Sequence, residues 1–151
     1  IKRDNPQFCF LAEVYWDREW DLQQLGFDYC YDKRLYDRVL HDGAETVRLH
    51  LLAELDYQNR LARFLENHDE KRAREAMPNS RHKAAAIVTY LIPGLKFFHE
   101  GQIEGRRVKI SPHLVRRPQE EVDVELQAFY QRLIELLKED FFRNGKWMLL
   151  D

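Results

Sequence analysis

The chain has 151 residues, 44% hydrophobic and 13% aromatic, which is enough apolar material for a packed core and too much for intrinsic disorder. Lys and Arg number 24 against 26 Asp and Glu, a net charge of −2, and this argues against a nucleic-acid-binding surface, which wants a basic excess. No apolar run approaches the ~18 residues of a membrane helix, and the opening residues do not read as a secretory leader.

The elements can be taken in order. Residues 8–16 (FCFLAEVYW) form an apolar, aromatic run that reads as a strand buried on both faces. Residues 17–25 are helix-compatible, and Gly26 stops them. Residues 27–31 (FDYCY) read as a second short strand. Ala44, Val47, Leu51, Leu52 and Leu55 share one face of a helix predicted over residues 44–61. Residues 62–65 (ARFL) are a third strand. Residues 78–91 are a helix with Pro78 in its first turn, ended by Pro93-Gly94. Residues 95–98 (LKFF) are a fourth strand. Residues 103–119 form a long irregular loop, and residues 121–139 are the clearest helix. Residues 146–150 (KWMLL) read as a fifth strand. Regular alternation of strand and helix predicts an α/β fold with a parallel sheet. Cys9 and Cys30 are expected to be reduced core residues. They are too few to close a zinc site, and they lean towards a reducing, cytoplasmic compartment. The chain starts at Ile1 rather than Met, so a longer parent protein is expected.

Three of the strands end in polar clusters that do not belong in a core: Glu13 to Asp17 after the first, Glu66 to Glu70 after the third, His99 to Gln102 after the fourth. Parallel α/β folds present ligands to the C-terminal ends of their strands. No HExxH helix, glycine-rich phosphate loop, Walker sequence or GxSxG elbow occurs. Carboxylates beside rings such as Tyr15 and Trp16 suit a sugar, because rings stack on pyranose faces and acid/base pairs break glycosidic bonds.

The sequence from Phe10 to Trp16 (FLAEVYW) resembles the fifth-strand motif of the α-amylase family of glycoside hydrolases, family thirteen. The sequence from Phe64 to Asp69 (FLENHD) is similar to that family's seventh-strand motif, and that from Pro93 to Gln102 (PGLKFFHEGQ) to its eighth. The three occur in the family's order. The resemblance implies a partial TIM (β/α)8 barrel, strands five to eight with their helices, over residues 1–143, with residues 144–151 as the truncated start of a following β-domain. It implies that Glu13 is the general acid/base and Asp69 the transition-state stabiliser. His68, Asn67, Tyr15 and Trp16 then bind substrate, an α-glucan or oligosaccharide. No cofactor or metal is assigned to these residues. The family's fourth-strand nucleophile, in a Gly-x-Arg-x-Asp-like motif, is not among these residues. The expected partner is therefore the N-terminal half of the barrel, or a second copy, with no nucleic acid and no membrane. The other reading is a non-catalytic amylase-like domain serving as a binding or interaction surface.

Blander expectations stand beside these. Glu13 could be an ion-pair partner and Asp69 a helix cap. Residues 71–75 (KRARE) read as a solvated helical face. Arg106, Arg107, Arg116 and Arg117 read as solvating their loop. His41, His50, His82 and His113 carry no signal.

Overall fold

A computed structural model describes residues 1–15, 17–114 and 116–150. The chain divides into two compact units, Ile1–Arg63 with Pro93–Lys96, and Phe64–Ile92 with Phe97–Asp151.

The first unit is a four-stranded parallel sheet and its helices. Its strands are β1 (Leu11–Ala12), β2 (Tyr29–Tyr31), β3 (Leu61–Arg63) and β4 (Leu95–Lys96), in that spatial order. The register pairs Ala12 with Cys30, Cys30 with Leu61, and Ala62 with Leu95. Ala12, Val14, Cys30 and Leu61 are buried together, and Leu22, Phe27 and Tyr57 pack on them. The predicted parallel α/β fold is therefore present. The first strand is shorter than residues 8–16, and only one of its faces is buried. Ala12 and Val14 face the core, while Phe8, Cys9 and Leu11 are exposed. Alternation along a strand explains this: with one sheet face covered, every second residue faces outwards. Cys9 is thus no core residue, whereas burial pushes the Cys30 thiol up to about 11.

Between β1 and β2 runs α1 (Glu19–Gln24), ended by Gly26 at a φ of 99° that only glycine adopts freely. Three helices link β2 to β3. The first, α2 (Lys33–His41), has no counterpart among the sequence expectations. Asp32 caps it by accepting the Leu35 N–H at 3.1 Å, and Leu35 and Tyr36 are buried. The single helix expected over residues 44–61 is two, α3 (Ala44–His50) and α4 (Leu55–Asn59), followed directly by β3. Gln58 accounts for the break. Its buried amide donates to the His50 carbonyl at 3.0 Å, satisfying an orphan acceptor at the end of α3 that a continuous helix would have used internally.

The second unit is helical: α5 (Ala73–Ala76), α6 (Asn79–Leu91), α7 (Val124–Leu136) and α8 (Asp140–Asn144). α6 buries His82, Ala85, Ala86, Thr89 and Tyr90, and α7 buries Leu126, Tyr130 and Leu133, the i, i+3, i+4 spacing of facing stripes. Asp123 caps α7 through Leu126 N at 3.1 Å and pairs with Arg74 at 2.9 Å. These contacts, the cap foremost, hold its carboxyl below the usual range. Residues 103–119 carry no helix or strand among those described, as expected. The fifth strand expected at residues 146–150 is not formed. Met148 and Leu150 are exposed, and apolar residues without a pairing strand do not make a sheet. Among the described residues no helix is long and apolar enough to cross a membrane.

Gly94, at the turn into β4, has a φ of 115°, and a Cβ there would lie 3.0 Å from the Gln58 carbonyl oxygen and closer still to that of Leu61. Gly94→Ala is expected to cost about 2–3 kcal/mol, combining backbone strain with displacement of the strand ladder. Urea unfolding would check it; a cost below ~0.5 kcal/mol would show that the turn is slack.

Candidate functional site

In the first unit, Glu13 follows β1 on the exposed side of the chain, opposite to Ala12 and Val14. The Tyr15 hydroxyl donates to Glu13 Oε1 at 3.0 Å, so a phenol orients this carboxylate. Asp17, just beyond, takes a left-handed φ of 64° and pairs with Arg34. Trp16 lies outside the described residues. Trp20 is 48% exposed and tilts against Tyr57, with the Arg60 guanidinium over its ring.

In the second unit, Asn67, His68 and Asp69 form one turn. Asn67 is buried, and its Oδ1 accepts the backbone N–H groups of Asp69 and Glu70, both at 2.9 Å. This side-chain turn sets the backbone and leaves Asp69 exposed, with His68 Nε2 3.5 Å from Asp69 Oδ2. Lys109, from the long loop, donates to the Asp69 backbone carbonyl.

The base of that turn is a buried ion pair. Glu66 and Arg72 are 1% and 2% exposed; Arg72 Nη2 lies 3.1 Å from Glu66 Oε1, and Glu66 Oε2 accepts the Ala73 N–H at 2.6 Å. Arg72 also donates to the Glu100 carbonyl at 2.8 Å and to His99 Nδ1 at 3.1 Å. The expectation of a solvated face over residues 71–75 therefore fails at Arg72 and Ala73, because a carboxylate on the preceding turn draws the guanidinium inwards. Gly101 permits that approach: its φ is 81°, and a Cβ would lie 2.7 Å from Arg106 Cγ and closer still to Arg72 Nη2. In the loop, Arg117 pairs with Glu100, and Arg106 donates to the Glu120 carbonyl.

Behind the turn at residues 99–105 runs a chain of buried hydrogen bonds. Gln102 Nε2 donates to the Tyr90 hydroxyl at 2.7 Å and to that of Tyr130 at 3.0 Å, and His82 Nε2 lies 2.7 Å from the same Tyr130 oxygen. Burial raises both phenols well above their ordinary range and pulls His82 down to about 4. The first unit holds a second buried set. Arg63, fully buried in β3, donates to Asp32, to Gln58 and, at 2.9 Å, to the Pro93 carbonyl; His50 Nε2 meets Asp32 Oδ2 at 3.0 Å. Two of the histidines without a sequence signal are thus buried, while His41 and His113 are exposed. An Arg inside an apolar strand was the available clue to the Arg63 set. Arg72 had none, since its partner is fixed only by the turn.

No known family profile matches the chain, and no curated protein matches it. Among solved structures it is similar to a noncanonic maltogenic α-amylase, AmyB, of Thermotoga neapolitana (TM-score 0.71, 19% identity, 96% of this chain and 37% of that one). It is also similar to an α-amylase of Lactobacillus plantarum (TM-score 0.68, 17% identity, 99% and 40%). The chain thus spans about two fifths of the amylases it superposes on. It has an amylase-like α/β fold, matched over part of those structures.

Proposed function

We propose that this chain is the second half of an amylase-like catalytic barrel, strands five to eight over residues 1–143, with residues 144–151 leading towards a β-domain. Its parent is a retaining glycoside hydrolase or transglycosylase acting on α-linked glucans. Superposition of nearly the whole chain on parts of two α-amylases supports this, together with three ordered motifs at strand ends. Glu13 protonates the leaving oxygen and then deprotonates the incoming water or sugar. Asp69 accepts hydrogen bonds from ring hydroxyls and favours the oxocarbenium-like ring, His68 binds a hydroxyl of the same ring, and Asn67 holds the turn that carries both. Tyr15 orients Glu13, and Trp16 offers a stacking face. A non-catalytic amylase-like binding domain is the alternative.

The fourth-strand Asp that would form the glycosyl ester is not among the 151 residues, so the chain alone is expected to release no reducing sugar from maltoheptaose. It is still expected to bind maltotriose, with amide shifts at residues 67–69 in a nitrogen–proton spectrum. Hydrolysis by the purified chain that Glu13→Gln abolishes would overturn the first expectation. A titration that leaves residues 67–69 unmoved would overturn the sugar reading itself.

A further inference from the structure

The contact between Arg72 and His99 fixes more than a loop. A guanidinium has five N–H donors and no acceptor, so at 3.1 Å His99 Nδ1 must accept. A proton on Nδ1 would point two donors at each other over that distance, for a weaker gain at Glu66 Oε1, which is 3.5 Å away. Arg72 cannot swing aside. It is buried, committed to the Glu100 carbonyl and to Glu66, and walled in by Gly101. The ring proton of neutral His99 is therefore on Nε2. That atom has no hydrogen-bond partner among the described residues, and it is not one of the buried unpartnered atoms. The His99 side chain is 25% exposed. The Gln102 amide oxygen accepts the His99 N–H at 3.3 Å, anchoring the backbone at its root.

We infer that His99 is a sugar-binding residue whose Nε2–H, held in a single tautomer by Arg72, donates to a hydroxyl of the bound saccharide. This rests on the sugar reading of the Asn67-His68-Asp69 turn, to which Arg72 ties His99 through Glu66. The arrangement is the carboxylate–guanidinium–imidazole order in which a buried pair spends its directionality on one exposed donor. A saccharide hydroxyl is the matching group: a neutral acceptor that a fixed imidazole N–H meets without desolvating a charge. Arg72 is then a positioning residue, acting through His99 rather than on the ligand.

The test uses the 151-residue chain with maltotriose as probe. In a long-range proton–nitrogen spectrum at about pH 8, where an ordinary histidine is neutral, His99 is expected to show a protonated Nε2 and a bare Nδ1. Maltotriose is expected to shift the Nε2 resonance together with residues 67–69. His99→Phe should weaken maltotriose binding roughly fivefold, and His99→Gln, which keeps a distal N–H, should recover part of the loss. Arg72→Met should let the ring mix both tautomers; if that variant does not fold, the two His99 variants still decide. A protonated Nδ1 in the parent chain overturns the inference. So does a His99→Phe titration identical to wild type while residues 67–69 still respond, an outcome that leaves the sugar reading intact. Maltotriose that moves neither group removes the sugar reading and this inference together.

Discussion

Arg63→Met is expected to remove a large share of the stability of the chain. Arg63 is fully buried in β3, and its guanidinium meets Asp32, itself 2% exposed, and the Gln58 amide oxygen. Burial pulls its pKa to about 9, still above neutrality, so the group is charged at pH 7. Removing it strands the Asp32 carboxylate with only the His50 N–H at 3.0 Å and its own cap bond to Leu35. Breaking a buried pair on one side costs about 3–5 kcal/mol, against a total of roughly 5–15 kcal/mol for an ordinary domain. Urea unfolding followed by circular dichroism should show a midpoint shifted far towards low urea. The paired change of Arg63→Met with Asp32→Leu should recover much of the loss, since an apolar replacement leaves no orphaned charge. A single Arg63→Met variant within about 1 kcal/mol of wild type would show that water reaches Asp32.

Acid should weaken the fold through two buried histidines. His82 is fully buried and pulled to about 4, chiefly by burial and then by Arg74, with Asp123 offsetting part. His50, also buried, is pulled to about 4 in the same way, with Arg38 and Arg34 adding to burial. In the unfolded chain each titrates near its ordinary value of about 6.5. Between those values the unfolded state binds protons that the folded state refuses, so stability falls as pH falls. The contribution is complete above about pH 6.5 and gone below about pH 4, on the order of 3 kcal/mol for each ring. Urea midpoints measured from neutral pH downwards should drop steadily, and His82→Gln, which keeps a hydrogen-bonding amide beside Tyr130 but cannot titrate, should flatten about half of the slope. Midpoints that stay level between neutrality and about pH 5 would mean that these rings are already protonated or already wet.

What the sequence disclosed follows from what local pattern encodes. Long periodic segments were legible: α6 and α7 lie within their predicted spans, because stripes such as Leu126, Tyr130 and Leu133 repeat at helical spacing. The parallel strands were legible as apolar runs, but their ends were not, since pairing at Ala12 or Lys96 depends on a neighbour far along the chain. The break between α3 and α4 was hidden for the same reason, as it rests on one Gln58 amide reaching back to His50. At the candidate site, Asn67, His68 and Asp69 were legible as a motif and form one turn, and Tyr15 meets Glu13. Arg72, Glu66 and His99 were not recognised as a set, because their partnership spans residues 66 to 99 and no spacing rule joins them. Residues 146–150 show the opposite error, in which β-prone composition without a partner strand forms no sheet.

The pairing of Ala62 with Leu95 also bears on how the molecule comes into being. That ladder closes a loop of about 30 residues, so its entropy must be surrendered before any bond between β3 and β4 is gained. During synthesis β3 leaves the ribosome with its far edge unclaimed, and waits there until residue 95 has emerged. For seconds in each chain's life, that bare edge is open to pairing with another strand, the hazard that chaperones limit.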